Sequence, residues 1–178
     1  MKRIGLISDT HGYLDPSIFG YFEKCDEIWH AGDIGTIEIA DTLADFKPLK
    51  AVCGNIDGGV LRDCFQLHQR FELEGVRVWI THIGGYPGNY DKRVRLALAR
   101  ESPDLFICGH SHILKVMRDQ KHGLVHINPG AAGRIGWHIM RTAVRFSLEG
   151  GKIRDLEAIE LGKRGRQHGL AGKDACPT

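Results

Sequence analysis

The chain has 178 residues, of which 42% are hydrophobic and 26% charged, which is typical of a soluble globular protein with one substantial core. Its 24 Lys and Arg residues balance 22 Asp and Glu residues, and the formal net charge of +2 argues against nucleic acid as a stable partner. No apolar stretch approaches the roughly 20 residues that span a bilayer, and the N-terminus lacks the features of a signal peptide. We therefore expect a cytoplasmic protein without a membrane partner.

The first half of the chain alternates short apolar runs with amphipathic segments. Gly, Asp, Asn or His bound the apolar runs, which is typical of buried strands in an α/β sheet. Asp15-Pro16 offers an N-cap followed by proline, which predicts that a helix opens there. We predict a βαβαβ beginning, with helices at 16–24, 37–46 and 91–101 and strands at 2–8, 27–31, 49–53, 76–81, 104–108 and 124–127.

The second half changes to strands joined by glycine turns. Glu74-Gly75, His122-Gly123 and Gly150-Gly151 punctuate stretches in which apolar and polar residues alternate. This pattern is typical of antiparallel hairpins with one solvated or helix-facing side. The last residues have little apolar content, so we predict one domain over 1–162 and a flexible tail over 163–178.

Five of the apolar runs end in side chains that can bind a metal. A lone Gly-Asp or Gly-Asn is usually a turn, and Asp9 with His11 alone could form a hydrogen-bonded pair. Five strand ends that offer only Asp, His and Asn are harder to attribute to chance. The crevice beyond the carboxyl ends of the strands is also where open α/β sheets bind ligands. The candidate ligands are Asp9, His11, Asp33, Asn55, His82, His110 and His112.

The spacing and the chemistry of these side chains point to metal ions. In extended backbone, residues i and i+2 point to the same side, so Asp9 and His11, like His110 and His112, can reach one pocket. Nitrogen and oxygen donors without thiolate suit Mn²⁺, Fe, Zn²⁺, Ni²⁺ or Co²⁺ better than Ca²⁺. Seven ligands exceed what one tetrahedral ion needs. Two ions that share a carboxylate fit better, and such pairs, about 3.5–4 Å apart, are widely used to hydrolyse phosphate esters.

The ordered set Asp9-x-His11, Gly32-Asp33, Gly54-Asn55, His82 and Gly109-His110-x-His112 resembles the motif of the calcineurin-like metallophosphoesterases. The nearest branch is that of the small single-domain bacterial and archaeal phosphodiesterases, and the resemblance runs from residue 2 to about 160. It implies an α/β (α+β) fold, a four-layer αββα sandwich of two mixed sheets flanked by helices. It also implies one ion on Asp9, His11, Asp33 and His112 and another on Asp33, Asn55, His82 and His110.

The resemblance further implies a dinuclear-metal-dependent phosphoesterase. We predict a phosphodiesterase that hydrolyses a small phosphodiester, with Asp33, Asn55 and His82 as the catalytic residues. Bound metal lowers the pKa of water from about 15.7 to about 7, so a metal-bridging hydroxide is the expected nucleophile. The expected cofactors are two divalent transition metal ions, with Mn²⁺ preferred and Ni, Fe, Zn or Co as alternatives.

The sequence departs from the family pattern after the asparagine ligand. Many larger members have a histidine there, a proposed general acid, whereas this chain has Ile56. A missing acid penalises poor leaving groups and weighs against the alternative of a phosphomonoesterase. A non-catalytic protein scaffold is the other alternative, since one retromer subunit resembles this fold with part of its metal set lost. The seven ligands of this chain favour catalysis, and a homo-oligomer remains open.

Candidate substrate contacts lie in the loop that follows His82. Many small members have a second histidine two residues beyond the His82 equivalent, where this chain has Gly84. The Gly-rich aromatic loop is predicted to shape the substrate rim, although an ordinary turn before the next helix is the simpler interpretation. An arginine beyond the Asn128-Pro129-Gly130 turn could contact a phosphate oxygen. The candidate contacts are Tyr86, Tyr90, Arg93 and Arg134.

Overall fold

The computed structural model describes residues 1–165, which form twelve strands and four helices. The strands are β1 (Lys2–Ile7), β2 (Glu27–His30), β3 (Leu49–Ala51), β4 (His68–Leu73), β5 (Val76–Thr81), β6 (Gly85–Tyr86), β7 (Asn89–Tyr90), β8 (Leu105–Ile107), β9 (Leu114–Asp119), β10 (Leu124–Pro129), β11 (Met140–Glu149) and β12 (Lys152–Lys163). The helices are α1 (Ser17–Phe22), α2 (Ile37–Phe46), α3 (Val60–Cys64) and α4 (Lys92–Arg100).

Two five-stranded sheets carry the fold, and both are mixed. The first has the order β12-β11-β1-β2-β3, in which β1, β2 and β3 are parallel and β11 is antiparallel to both neighbours. The second has the order β4-β5-β8-β10-β9, in which β5, β8 and β10 are parallel and the two edge strands are antiparallel. The parallel strands of each sheet therefore end at a common edge, which is where open sheets bind ligands.

Three apolar cores separate four layers. The central core joins the sheets through residues such as Leu6, Trp29 and Ile80. Outside the first sheet, α1 and α2 bury Phe22 and Leu43, while α4 covers the second sheet with residues that include Leu98. These layers confirm the four-layer αββα sandwich and its two mixed sheets.

Strand β1 shows how the sequence alternation builds two of these layers. Ile4 and Leu6 face the central core, and Ile7 faces the helical layer, as the period of a strand requires. A Cβ at Gly5 would lie 2.5 Å from the ring of Phe22, so only glycine lets the α1 aromatic pack onto the strand.

Most predicted elements are present, with shifted ends. The predicted hairpin turns at Glu74-Gly75 and Gly150-Gly151 join β4 to β5 and β11 to β12. Helix α3 and the β6–β7 hairpin were not predicted, because elements of five and two residues are too short to show a hydrophobic period. Helix α1 begins at Ser17, and the Asp15 carboxylate accepts the Ser17 N–H at 2.9 Å.

The last strand extends one residue past residue 162, where the domain is predicted to end. β12 continues to Lys163, which pairs with Met140, so this residue belongs to the sheet. The rest of the predicted tail from residue 166 lies outside the described residues. Within residues 1–165, no helix has the length and apolar character needed to cross a membrane.

Candidate metal centre

The seven predicted ligands come together at the edge where the parallel strands of both sheets end. They follow β1, β2, β3, β5 and β8 in the chain. The backbone N–H of His110 donates to the Asp9 carboxylate at 3.1 Å, a contact between residues 101 positions apart. Within each of two triads, the donor atoms all lie within 4.8 Å of one another. These triads are Asp9, His11 and His112, and Asp33, His82 and His110.

The first ion position, defined by Asp9, His11 and His112, has donor atoms at the separation that a shared ion requires. Nε2 of His112 lies 3.2 Å from Oδ1 of Asp9 and 3.2 Å from Nε2 of His11. Donors bonded to one ion at about 2.0–2.2 Å are separated by roughly 3–4 Å in tetrahedral geometry. The residues therefore fit a bound divalent ion.

The second ion position consists of Asp33, Asn55, His82 and His110. Nε2 of His82 lies 3.1 Å from Oδ1 of Asn55 and 3.3 Å from Oδ2 of Asp33. The same Asp33 oxygen lies 3.6 Å from Nε2 of His11, which belongs to the first position. Asp33 thus lies between the two groups, where a carboxylate could bridge two ions. This division is the one that the family resemblance implies.

The backbone at the ligands is left-handed rather than extended. Residues 1–165 contain seven non-glycine residues with positive φ, and five of them are predicted ligands. The expectation that Asp9 and His11, like His110 and His112, share a side through extended backbone is therefore wrong, and His110 and His112 belong to different triads. Such a conformation costs free energy, least for Asp, Asn and His, and clusters at functional sites. The five φ angles are 54° for Asp9, 49° for His11, 55° for Asp33, 68° for His110 and 58° for His112.

Glycines leave room for the ligand side chains where the loops pack closely at this edge of the sheets. A Cβ at Gly54 would lie 2.0 Å from Oδ1 of Asp33, and one at Gly32 would lie 2.6 Å from Nδ1 of His82. The dipeptides Gly32-Asp33 and Gly54-Asn55 therefore reflect close packing of one ligand loop on another, besides the freedom to turn.

Two buried side chains hold the ligand loops in register. The Asp57 carboxylate, 2% exposed, accepts N–H groups from Ile34, Gly35 and Gly54 at 3.1, 2.8 and 2.8 Å. It thereby joins the loop of Asp33 to the loop of Asn55. This role of Asp57 was not predicted; the signal for it is a carboxylate inside a glycine-rich turn, where backbone N–H groups need an acceptor.

His30 supports the same loops without being a predicted ligand. Its Nδ1 accepts the Gly32 N–H at 3.1 Å, so its Nε2 carries the proton and donates to the Thr10 hydroxyl at 2.9 Å. Thr10 in turn donates to the carbonyl of Ile34 at 2.9 Å. Burial lowers the pKa of His30 to about 4, so the ring is neutral at pH 7.

One imidazole of the second position is oriented by the backbone. Nδ1 of His82 donates to the carbonyl of Ala31 at 2.8 Å, which leaves Nε2 unprotonated as a ligand. Burial opposes charge on His82, but Asp33 and Asp9 outweigh it and raise its pKa. Burial likewise opposes charge on Asp33, yet the hydrogen bond and charge of His82 hold its pKa below the ordinary value. Protons therefore compete with an ion for His82, and ion affinity rises with pH.

The four predicted substrate contacts lie in different places. Arg93 lines a cavity of about 210 Å³ together with Asn55 and His82. Tyr86 packs under the Lys115 ammonium at 3.8 Å, and the Tyr90 hydroxyl donates to Asp119 at 2.8 Å. Neither tyrosine lines the cavity beside Asn55. A larger cavity of about 520 Å³ beside α1 contains none of the seven predicted ligands.

Arg134 follows Gly133 in the chain, and the N–H of Gly133 donates to the carbonyl of Asp9, a residue of the first ion position, at 3.0 Å. The Arg134 guanidinium stacks on the ring of Tyr13 at 3.9 Å and donates to the Tyr13 hydroxyl at 2.8 Å. Tyr13 follows His11 by two residues in the chain. Arg93 thus shares a cavity with two residues of the second ion position, whereas Arg134 contacts Tyr13 and is absent from that cavity.

Comparison with known proteins agrees with this architecture. Residues 1–151 match the family model described as the calcineurin-like phosphoesterase superfamily domain. The chain belongs to this superfamily. A curated protein of Methanothermobacter thermautotrophicus named "Probable metallophosphoesterase" is 31% identical over 137 residues, which cover 72% of this chain and 76% of that protein.

Solved structures share the fold of this chain. A structure titled as a novel archaeal phosphodiesterase has a TM-score of 0.71 at 21% identity, covering 89% of this chain and 99% of the other. Vps29 of Chaetomium thermophilum has a TM-score of 0.70 at 18% identity, covering 92% of this chain and 100% of the other. At these identities the likeness shows the fold alone. The family implies divalent metal ions, and the two triads are where this chain could hold them.

Proposed function

We propose that this metallophosphoesterase is a phosphodiesterase that uses two divalent ions and acts on a small phosphodiester. The observation that carries the proposal is the position of Asp33, whose Oδ2 lies 3.3 Å from His82 and 3.6 Å from His11. One carboxylate can thus serve both ion positions. When bound, two such ions supply activated water at neutral pH and neutralise charge on the phosphoryl oxygens.

The residues of the chain orient and hold this centre. Asp33, Asn55 and His82 would hold the part of the centre that lies between the two ion positions. The carbonyl of Ala31 orients the imidazole of His82. The N–H of Ile56 donates to Oδ1 of Asp33 at 3.0 Å, which holds the carboxylate in place. Mixed nitrogen and oxygen donors support Mn²⁺, with Fe, Zn²⁺, Ni²⁺ or Co²⁺ as the competing ions.

The residue after Asn55 favours diesters over monoesters. Ile56 has an apolar side chain that is 48% exposed and offers no proton. A general acid typically contributes about 10²–10⁴-fold, so its absence at this point disfavours poor leaving groups. Among diesters, those with a good leaving group are therefore expected to turn over faster than those that release an alkoxide.

The test is a paired assay of metal-stripped protein reloaded with Mn²⁺. Turnover of bis-p-nitrophenyl phosphate is expected to exceed that of p-nitrophenyl phosphate, and Asp33→Ala to lose both turnover and bound Mn²⁺. Asp41→Ala, which removes an exposed carboxylate on α2, is the matched control. Faster turnover of the monoester would replace the diesterase assignment with a phosphomonoesterase.

A second candidate function, a non-catalytic role in protein assembly, is favoured by one apolar loop. Trp137 is 100% exposed and lies between Ile135 and Ile139, which are 48% and 78% exposed. The loop is next to the first ion position, because the ring of His138 lies 5.3 Å from the ring of His112. Ion binding without turnover of any ester, with any of the five metals, would favour this role.

A further inference from the structure

A cavity of about 210 Å³ opens beside the second ion position. Asn55 and His82 belong both to this cavity and to the predicted ligand set, so a phosphorus held at the ions would have one substituent at its mouth. Ligand pockets that hold a drug-sized molecule measure about 300–1,000 Å³. The cavity is therefore of a size for part of a substrate.

Two arginines give this cavity a positive wall. Arg62 and Arg93 both line it, and the single carboxylate among its lining residues belongs to Asp91, which pairs with Arg93 at 3.4 Å. Within residues 1–165, Arg62 has no carboxylate within 4.0 Å. Its Nε donates to the carbonyl of Asp57 at 2.6 Å. This hydrogen bond uses Nε alone, so the two terminal nitrogens of Arg62 can donate together. Paired donors of this kind bind phosphate or carboxylate.

The rest of the wall is apolar or neutral. Leu67 and Val94 contribute aliphatic surface, and His68 packs against Trp79 with ring centroids 6.0 Å apart. Burial lowers the pKa of His68, and the nearby cations Arg70 and Arg93 lower it further, so this ring is neutral at pH 7. An organic group with an anionic end matches a wall that combines aliphatic surface and free guanidinium donors.

We propose that this cavity binds one substituent of the phosphodiester and that Arg62 and Arg93 recognise a second oxyanion on it. The inference rests on the proposed phosphodiesterase function and names its substrate class. The preferred diester carries a further phosphate or carboxylate on one substituent. Hydrolysis then proceeds with water as co-reactant: the oxygen of water bonds to phosphorus, one P–O ester bond breaks, and the departing alkoxide takes up a proton to leave as the alcohol.

The test compares diesters that differ by one charged group. The dinucleotide pApA carries a 5′-phosphate that ApA lacks, and glycerophosphoserine carries a carboxylate that glycerophosphoethanolamine lacks. We expect kcat/KM to be at least about tenfold higher for the charged member of one pair, since charge-assisted hydrogen bonds from arginine are strong. The pair that shows the preference identifies the oxyanion as phosphate or carboxylate.

Variants at the two arginines then assign the preference to the cavity. Arg62→Gln and Arg93→Gln are expected to bring the charged-to-uncharged ratio down toward one. Arg100→Gln, a charge change on the same helix as Arg93 but outside the cavity, is expected to keep the wild-type ratio. A purely structural defect lowers both members of a pair equally and leaves their ratio unchanged, so an unchanged ratio in Arg62→Gln and Arg93→Gln overturns the proposal.

A binding measurement separates this inference from the proposed function. The affinities of metal-stripped protein for pApA and ApA are measured by calorimetry in EDTA, where no turnover occurs. Tighter binding of pApA that is lost in Arg62→Gln supports the cavity assignment even if bis-p-nitrophenyl phosphate proves not to be a substrate. Turnover of that diester with equal kcat/KM within both matched pairs overturns the cavity assignment and leaves the phosphodiesterase function intact.

Discussion

At the second ion position, the carbonyl of Ala31 anchors His82, whereas at the first position His11 and His112 have no backbone acceptor among residues 1–165. The His82 side chain is also the more buried, with 3% exposed against 10% and 15% for His11 and His112, whereas His110 of the second position is exposed. Asp57 also fixes the two loops that carry Asp33 and Asn55. The protein therefore holds the His82 ring and the loops of Asp33 and Asn55 in place, and we expect the imidazoles of the first position to depend more on their ion.

The largest expected effect comes from displacing the Asp33 carboxylate, which lies between the two ion positions. In Gly54→Ala, the new Cβ would lie 2.0 Å from Oδ1 of Asp33 and displace it. Misplacement by about 1 Å can cost about 10²-fold in rate, so we expect at least that loss of kcat/KM on bis-p-nitrophenyl phosphate. Metal analysis should show both ions lost. Gly58→Ala, where a Cβ meets nothing within 4 Å, is the control, and a Gly54→Ala enzyme with two ions and full activity would contradict the shared-carboxylate model.

The next largest effect concerns Asp57, which connects the two loops of the second ion position. Asp57→Ala removes the acceptor of three backbone N–H groups in a buried turn. We expect the free energy of unfolding of the metal-free protein to fall by about 3 kcal/mol, because buried donors lose charged acceptors. Urea denaturation measures it, with Asp41→Ala as the exposed control. A loss no larger than that of the control would mean that Asp57 does not hold the loops.

Manganese titration tests the comparison directly. Preorganising partners of a ligand are typically worth about 10–100-fold in metal affinity, so the second position should fill first, with affinity at least about tenfold higher. In calorimetry, His82→Ala should abolish the tighter step and His112→Ala the weaker one. If His112→Ala removed the tighter step instead, the first position would be the preformed one.

The smallest expected effect comes from a histidine outside both positions. His126 is buried between Tyr90 and Phe106, and neither ring nitrogen has a partner among residues 1–165. Burial lowers its pKa from 6.5 to about 4, with a smaller effect of Lys115 in the same direction. Because burial of an unpaired polar group is costly, His126→Leu should raise the free energy of unfolding by about 1 kcal/mol at pH 7.

The same variant has a defined pH signature. The unfolded chain protonates His126 as the pH falls through about 6.5, whereas the folded chain resists until about 4, so the wild type loses stability across this window. His126→Leu should lose less over the same range in denaturation at several pH values. Parallel curves for the two proteins would show that His126 has a hydrogen-bond partner in solution and titrates normally.

The sequence predicted the features of the site that depend on neighbouring residues, and it did not predict those that depend on contacts between residues far apart in the chain. The candidate ligands and the strands before them were readable, because residue type and local apolar pattern carry that information. The left-handed backbone at Asp9 and His11 was not, since each is set by packing against loops from other strands. Asp57 was overlooked for the same reason, because two of the three N–H groups that it accepts lie more than twenty residues away.

The sequence by itself determined which atoms this protein can offer to a metal. The side-chain type fixes the donor atoms, and the local apolar pattern shows where each strand ends. Only the tertiary structure decided how they divide into two positions, how Asp33 lies between them and how Arg62 and Arg93 share a cavity with His82. Contacts such as that of His110 with Asp9 join residues 101 positions apart. The packing of two sheets sets such distances, and no local pattern encodes it.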